Sequence, residues 1–162
     1  MRHATAFDPD PTQWPDDSDR PLTPEGEKRF GRAARGLTEL MSSVEVLLSS
    51  RFARAWRTAE LLEKEASWPK PIPCEALESG HAPAEVLQAL QAYSGAPSVA
   101  LVGHEPNLHE LASYLLTADT GHVQLEFRKG GLARLELPDG LRPGGARLRW
   151  LMPARVLRAI AS

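Results

Sequence analysis

The fold is decided by the stretch Ser98-Val99-Ala100-Leu101-Val102-Gly103-His104-Glu105-Pro106-Asn107-Leu108. Residues 98–102 form a continuous apolar run, as a strand buried on both faces of a parallel sheet requires. Gly103 to Pro106 interrupt it. Asn107 can cap a helix whose Leu108, Leu111, Ala112 and Leu115 recur at helical spacing. The same order occurs earlier. Val44-Glu45-Val46-Leu47-Leu48 is short, apolar and β-branched, Ser49-Ser50 follows, and a helix from about Ala53 to Glu65 carries Ala55, Ala59, Leu61 and Leu62. Strand, short loop, helix, twice over, is the βαβ pattern. The chain is therefore expected to be α/β, with a mainly parallel sheet between helices and with these two strands adjacent or nearly so.

Ligands of such sheets lie beyond the carboxyl ends of the strands. Arg54 and His104 fall just past those ends. A second Arg–His pair, Arg2-His3, stands in Met1-Arg2-His3-Ala4-Thr5-Ala6. An Arg–His dipeptide says little alone, because most histidines are surface or satisfied core groups. Two arginines and two histidines at the edges of apolar segments have the chemistry to converge on a phosphate. The arginine fork matches phosphoryl oxygens, and a neutral imidazole is a good nucleophile near pH 7.

The rest of the chain fills in around these elements. Residues 7–21 are polar, Pro- and Asp-rich, and read as a long functional loop. Thr23 can cap and Pro24 can begin a helix that runs to about Met41, with Phe30, Ala33, Ala34, Leu37 and Leu40 on its apolar face. Pro69 to Cys74 reads as extended with Ile72 buried, and a helix begins near Pro83. Gln124–Phe127, Leu132–Leu137 and Arg147–Leu151 alternate apolar and charged residues and read as strands with one wetter face; Val156–Ile160 reads as a short tail.

With 162 residues, 42% of them hydrophobic, the chain suits a single domain, residues 1–162, with its own core. A net charge of -2 gives no reason to expect nucleic acid or a membrane surface as a partner. Cys74 is the only cysteine, which excludes an intrachain disulfide and a cysteine metal cluster. His81, His109 and His122 show no metal-ligand spacing and read as surface or capping groups, so neither metal nor cofactor is expected. The sequence shows no leader or spanning segment and is expected to be cytoplasmic.

Five segments together resemble the histidine phosphatase superfamily, and within it the small SixA-type phosphohistidine phosphatases. They are Arg2-His3-Ala4; Arg20-Pro21-Leu22-Thr23 with Gly26; Ser49-Ser50 with Arg54-Ala55 and Thr58-Ala59; Val102-Gly103-His104-Glu105-Pro106-Asn107-Leu108; and Lys129 to Leu137. Each is weak, but their order spans the chain. The resemblance implies a three-layer α/β/α, phosphoglycerate-mutase-like fold. It also implies a nucleophilic His3, with Arg2, Arg54 and His104 gripping the phosphoryl oxygens. The implied activity is removal of phosphate from phosphohistidine in a protein, with a histidine phosphotransfer domain as one candidate partner and a role in signal transduction.

The chain departs from that family's pattern at three places. Arg2 is the second residue, where the family has a strand ahead of its Arg–His pair; either the sequence begins at an internal Met, or the inner strand is absent and Arg2 and His3 are expected to be tethered on one side only. Arg51 stands where Pro or Leu is usual, and is either a solvated charge at the mouth or an extra phosphate contact. The proton donor is Glu78 or Glu105, unless both are surface carboxylates. A phosphohistidine protonated on its far nitrogen leaves as neutral imidazole and needs little acid help, unlike an alkoxide. The alternatives are a phosphatase for small phosphomonoesters and a phosphate-binding module whose catalysis has decayed.

Overall fold

The computed structural model describes residues 1–161. Its helices are α1 (Pro24–Thr38), α2 (Ala53–Ala66), α3 (Pro83–Leu90), α4 (Asn107–Thr117) and α5 (Ala154–Ile160). Its strands are β1 (Val46–Ser49), β2 (Ile72–Pro73), β3 (Val99–Val102), β4 (Leu132–Glu136) and β5 (Arg147–Met152). No helix among the described residues is long and apolar enough to cross a membrane.

β1 is the middle of a parallel sheet in the order β2-β1-β3. Val46 opposes Val99 and Ser49 opposes Val102, so the strands predicted to be inner neighbours are paired along their length. Alternation along β1 sends consecutive leucines to opposite faces. Leu47 joins Phe30, Ala33, Leu37, Leu62 and Leu157 beneath α1, α2 and α5. Leu48 joins Val86, Leu87, Leu111 and Leu115 beneath α3 and α4. Both leucines are essentially inaccessible, and the sheet is sandwiched between two helical layers as expected.

The start of the chain corrects one expectation. Met1 to His3 lies extended between β3 and the β4 side and is held on both flanks. The Gly103 N–H donates to the Met1 carbonyl at 3.1 Å, and the His3 N–H to the Gly103 carbonyl at 3.0 Å. On the other flank the Arg2 N–H donates to Gly131 at 3.0 Å, and the Gly130 N–H to His3 at 2.9 Å. This short segment therefore joins the parallel sheet to the antiparallel β4–β5 pair. Beyond it, β3 and β4 flank a largely apolar groove of about 730 Å³ that Trp68 and Trp150 also line.

Other differences have local causes. α1 ends at Thr38, before Met41. Residues 124–127 form no strand: Phe127 is buried against Leu108 and Ala112, while its carbonyl accepts from the Arg2 side chain. Ile72 is 40% exposed, because β2 is a two-residue edge strand whose neighbours Pro71 and Cys74 take the buried positions. Asn107 caps nothing; its side-chain amide donates to the His81 carbonyl at 2.7 Å and ties two loops together. The expected tail is the helix α5, whose Leu157 is fully buried against α1. Gly36 admits it, since a Cβ there would overlap the Leu157 carbonyl.

Candidate active site

The carboxyl ends of Met1–His3, β1 and β3 deliver three short loops to one place. His3 leaves the first, Ser50 and Arg54 follow the second, and His104 follows the third. The His3 and His104 ring centroids are 5.3 Å apart, and Phe52 packs against His104 at 4.9 Å.

His3 is buried and its tautomer is fixed. Nδ1 lies 2.7 Å from the Ala4 carbonyl, which can only accept, so Nδ1 carries the proton and the lone pair is on Nε2. Burial pushes the His3 pKa down to about 3; the Ala4 hydrogen bond opposes this, and the charges of Arg54, Arg2 and Arg20 add to it. The ring is neutral at pH 7. The Ala4 N–H donates to Thr58 Oγ1 at 2.9 Å, and that hydroxyl donates to the Arg54 carbonyl at 2.7 Å. Thr58 thus clamps the residue after the histidine to the helix that bears Arg54.

His104 is equally buried, and burial first, then His3 and the arginines, lower its pKa to about 3. Its Nε2 shares a hydrogen bond of 2.9 Å with Ser50 Oγ, which also accepts from the Phe52 N–H at 3.2 Å. Its Nδ1 is buried without a partner among the described residues.

Arg2 and Arg54 both act on the two imidazoles. Arg2 Nη1 donates to the Phe127 carbonyl at 2.9 Å, and Arg2 Nε and Arg54 Nε are buried without partners among the described residues. Unsatisfied buried donors of this kind suit an anion that supplies the missing acceptors. Arg54 is engaged by the Phe7–Pro21 loop: Nη2 lies 2.9 Å from Asp17 Oδ2, and Nη1 donates to the Asp17 carbonyl at 2.6 Å. Arg20, also buried, holds the other Asp17 oxygen at 2.7 Å. Arg20 first, then the Arg54 charge, keeps the Asp17 carboxyl below the usual carboxylate range against the small cost of burial.

The structure therefore gathers all four predicted residues Arg2, His3, Arg54 and His104. The other three candidates are placed as follows. Arg51 is exposed. Glu78 is half-buried after the 3-10 turn Glu75–Leu77, where its charge acts on Cys74 and His81. Glu105 Oε2 is held by His109 at 2.9 Å. Asp17, Ser50 and Thr58 were not singled out from the sequence. Ser50 and Thr58 sit in segments that carried the family likeness, but Asp17 gave no signal within a polar loop.

Residues 1–79 match the family profile described as histidine phosphatase superfamily, branch 1, a span that holds Arg2, His3 and Arg54. An uncharacterized protein of Picosynechococcus sp. is 35% identical over 151 residues, 92% of this chain and 86% of its own. The chain belongs to the histidine phosphatase superfamily. Among solved structures it is similar to the protein histidine phosphatase SixA complexed with tungstate, at 26% identity and a TM-score of 0.82, covering 97% of this chain and 96% of that one. A Nakamurella multipartitia protein described as a phosphohistidine phosphatase SixA gives 26% identity and 0.76, over 94% and 92%. The fold extends to a mycobacterial glucosyl-3-phosphoglycerate phosphatase at 16% identity and 0.69, over 94% and 96%. Membership makes this chain a phosphatase of that superfamily.

Proposed function

We propose that this phosphatase takes the phosphoryl group from phosphohistidine in a protein, a histidine phosphotransfer domain being one such partner, and acts in cytoplasmic signal transduction. His3 Nε2 attacks phosphorus. The new P–Nε2 bond forms as the substrate's N–P bond breaks, and the substrate imidazole, already protonated on its far nitrogen, leaves neutral with the electron pair. Arg2 and Arg54 take the equatorial oxygens, where charge is spread, and His104 completes the cradle. Water then attacks phosphorus, the P–Nε2 bond breaks, and the pair returns to His3; the water's proton leaves with phosphate or to solvent. Nδ1 keeps its proton on Ala4 throughout, so the starting tautomer is restored without an enzyme proton transfer.

One observation carries the choice of substrate. Asp17 is held between Arg20 and Arg54, whereas Glu105 gives only Oε2 to His109, its Oε1 being buried without a partner among the described residues. The carboxylate beside the arginines is thereby kept ionised and cannot serve as an acid, which supports a leaving group that needs none. Small phosphate esters are the second reading, favoured by the fold shared with the glucosyl-3-phosphoglycerate phosphatase. The decayed binding module loses its argument, since Arg2 and His3 are held on both flanks.

The test is turnover of a phosphohistidine-bearing domain beside an aryl phosphate, with rapid quenching of labelled substrate. The expected result is preference for the former and an acid-labile, base-stable label on residue 3 that His3→Ala abolishes. Preference for the ester moves the assignment to small phosphomonoesters. A label lost in His104→Ala and kept in His3→Ala exchanges the two histidines' roles.

A further inference from the structure

Beside the candidate site, α1, the 126–130 loop and α5 enclose a hollow of about 540 Å³ lined by Arg2, Arg29, Arg128, Lys129, Arg155 and Arg158, with Glu126 as its one carboxylate. The chain as a whole carries -2, so this face inverts the charge of the molecule. Arg29 is paired with Glu25 at 2.7 Å and Arg128 with Glu126 at 3.1 Å. Lys129, Arg155 and Arg158 have no carboxylate partner among the described residues.

An ordinary solvated face intersperses both signs of charge in comparable number, whereas here the cations outnumber the carboxylates Glu25 and Glu126. Its position also ties it to the chemistry. Arg2 lines both this hollow and the candidate site, and Ala4, next to His3, lies on its wall. The loop bearing Arg128 and Lys129 is bonded to the His3 carbonyl through the Gly130 N–H. Resting on the reading of a protein substrate, we propose that this hollow is the docking surface for an acidic face of the phosphorylated partner. A single small anion would want a closed cradle of buried donors. Here the cationic heads come from three separate elements and most are exposed, which fits an extended acidic surface. Exposed charges add little affinity singly, but a patch of strong net positive charge steers encounter. The patch therefore acts on capture of the protein and leaves the chemical step alone.

The experiment compares the wild type with the triple variant Lys129→Glu/Arg155→Glu/Arg158→Glu and the milder Lys129→Gln/Arg155→Gln/Arg158→Gln. The probes are an acidic phosphotransfer domain, with and without phosphohistidine, and an aryl phosphate. Expected is a loss of about tenfold or more in kcat/KM on the domain for the Glu variant, with a smaller loss for the Gln variant. Turnover of the aryl phosphate stays within about twofold, which also reports an intact fold. Salt raised from about 0.05 to 0.5 M lowers the wild-type kcat/KM on the domain steeply and the Glu variant's little. Anisotropy of the unphosphorylated domain reads docking alone: equal binding to wild type and Glu variant overturns the docking surface. An equal loss on both substrates also overturns it. Failure of the wild type to turn over the phosphohistidine domain overturns the proposed function instead, whatever the binding shows.

Discussion

The Asp17 carboxylate lies 2.9 Å from Arg54 Nη2, and the main-chain oxygen of the same residue accepts from Arg54 Nη1 at 2.6 Å. The fork assigned to the phosphoryl oxygens is thus already gripped by an anion of its own chain. Arg20, anchored to the Phe7 carbonyl at 2.6 Å, holds that anion in place. An incoming phosphoryl group has to share Arg54 with Asp17 or displace it.

Asp17→Ala is therefore expected to tighten binding of inorganic phosphate or tungstate. Removing one like charge at contact distance, at a partly solvated site, is worth about tenfold, or ~1.4 kcal/mol. Competitive inhibition constants measure it. Weaker binding in the variant would show that Asp17 positions Arg54 and does not compete with the ligand.

Arg54→Ala is expected to lower kcat by about 10²–10³-fold, the scale for one preorganised charge stabiliser. Arg51 is exposed, and Arg51→Ala is expected to change kcat/KM less than about twofold. A loss for Arg51→Ala comparable to that for Arg54→Ala would make it the extra phosphate contact.

Acid should weaken the fold through the two buried imidazoles. Each has a folded-state pKa of about 3 against an ordinary value of 6.5, so the unfolded chain binds more protons between those limits. Stability is complete above pH 6.5 or so and falls as pH drops toward 3. His3→Gln should shrink the slope of unfolding free energy against pH by up to about 1.4 kcal/mol per pH unit, one proton's worth. Urea denaturation at several pH values reads this slope. Imidazole resonances of His3 and His104 that titrate near pH 6.5 would contradict it.

The two central strands and the residues at their ends were legible because a doubly buried strand must be continuously apolar, and its carboxyl end must face the ligand. Val46–Ser49, Val99–Val102, Arg54 and His104 follow from that alone. His3 as nucleophile came only through family likeness; what marks it locally, the hydrogen bond to the Ala4 carbonyl, is invisible in one dimension. The rest depended on tertiary neighbours. Phe127 alternates like a strand residue, but its carbonyl serves Arg2. Residues 154–160 are too few to show helical periodicity, and they are helical because Leu157 has a site on α1. Asp17 lies in a loop with four other aspartates, and only the arrival of Arg20 and Arg54 distinguishes it.

Two glycines of α1 should separate fold from function. Gly26 lies where a Cβ would overlap the Thr5 carbonyl, two residues past His3. That carbonyl accepts from the Thr23 N–H at 3.0 Å, and Thr23 Oγ1 caps the helix on the Gly26 N–H at 2.9 Å. Gly26→Ala must therefore push the helix start from the segment bearing His3. Gly36 lies near the other end, where a Cβ would overlap the Leu157 carbonyl on α5. Both substitutions overpack, at about 1–3 kcal/mol each, and the gain in helix propensity from Ala, about 1 kcal/mol, offsets only part of it. Similar losses in urea denaturation are expected, but different kinetics. Gly26→Ala shifts His3 against Arg54 and His104 and should lower kcat by tenfold or so at temperatures where the variant is fully folded, since small misplacements of reacting groups are costly. Gly36→Ala should leave kcat within about twofold, because α5 meets α1 there through its buried Leu157 and away from the candidate site. Equal effects on kcat would mean that α1 moves as one rigid body and that the Thr5 contact has no privileged link to His3.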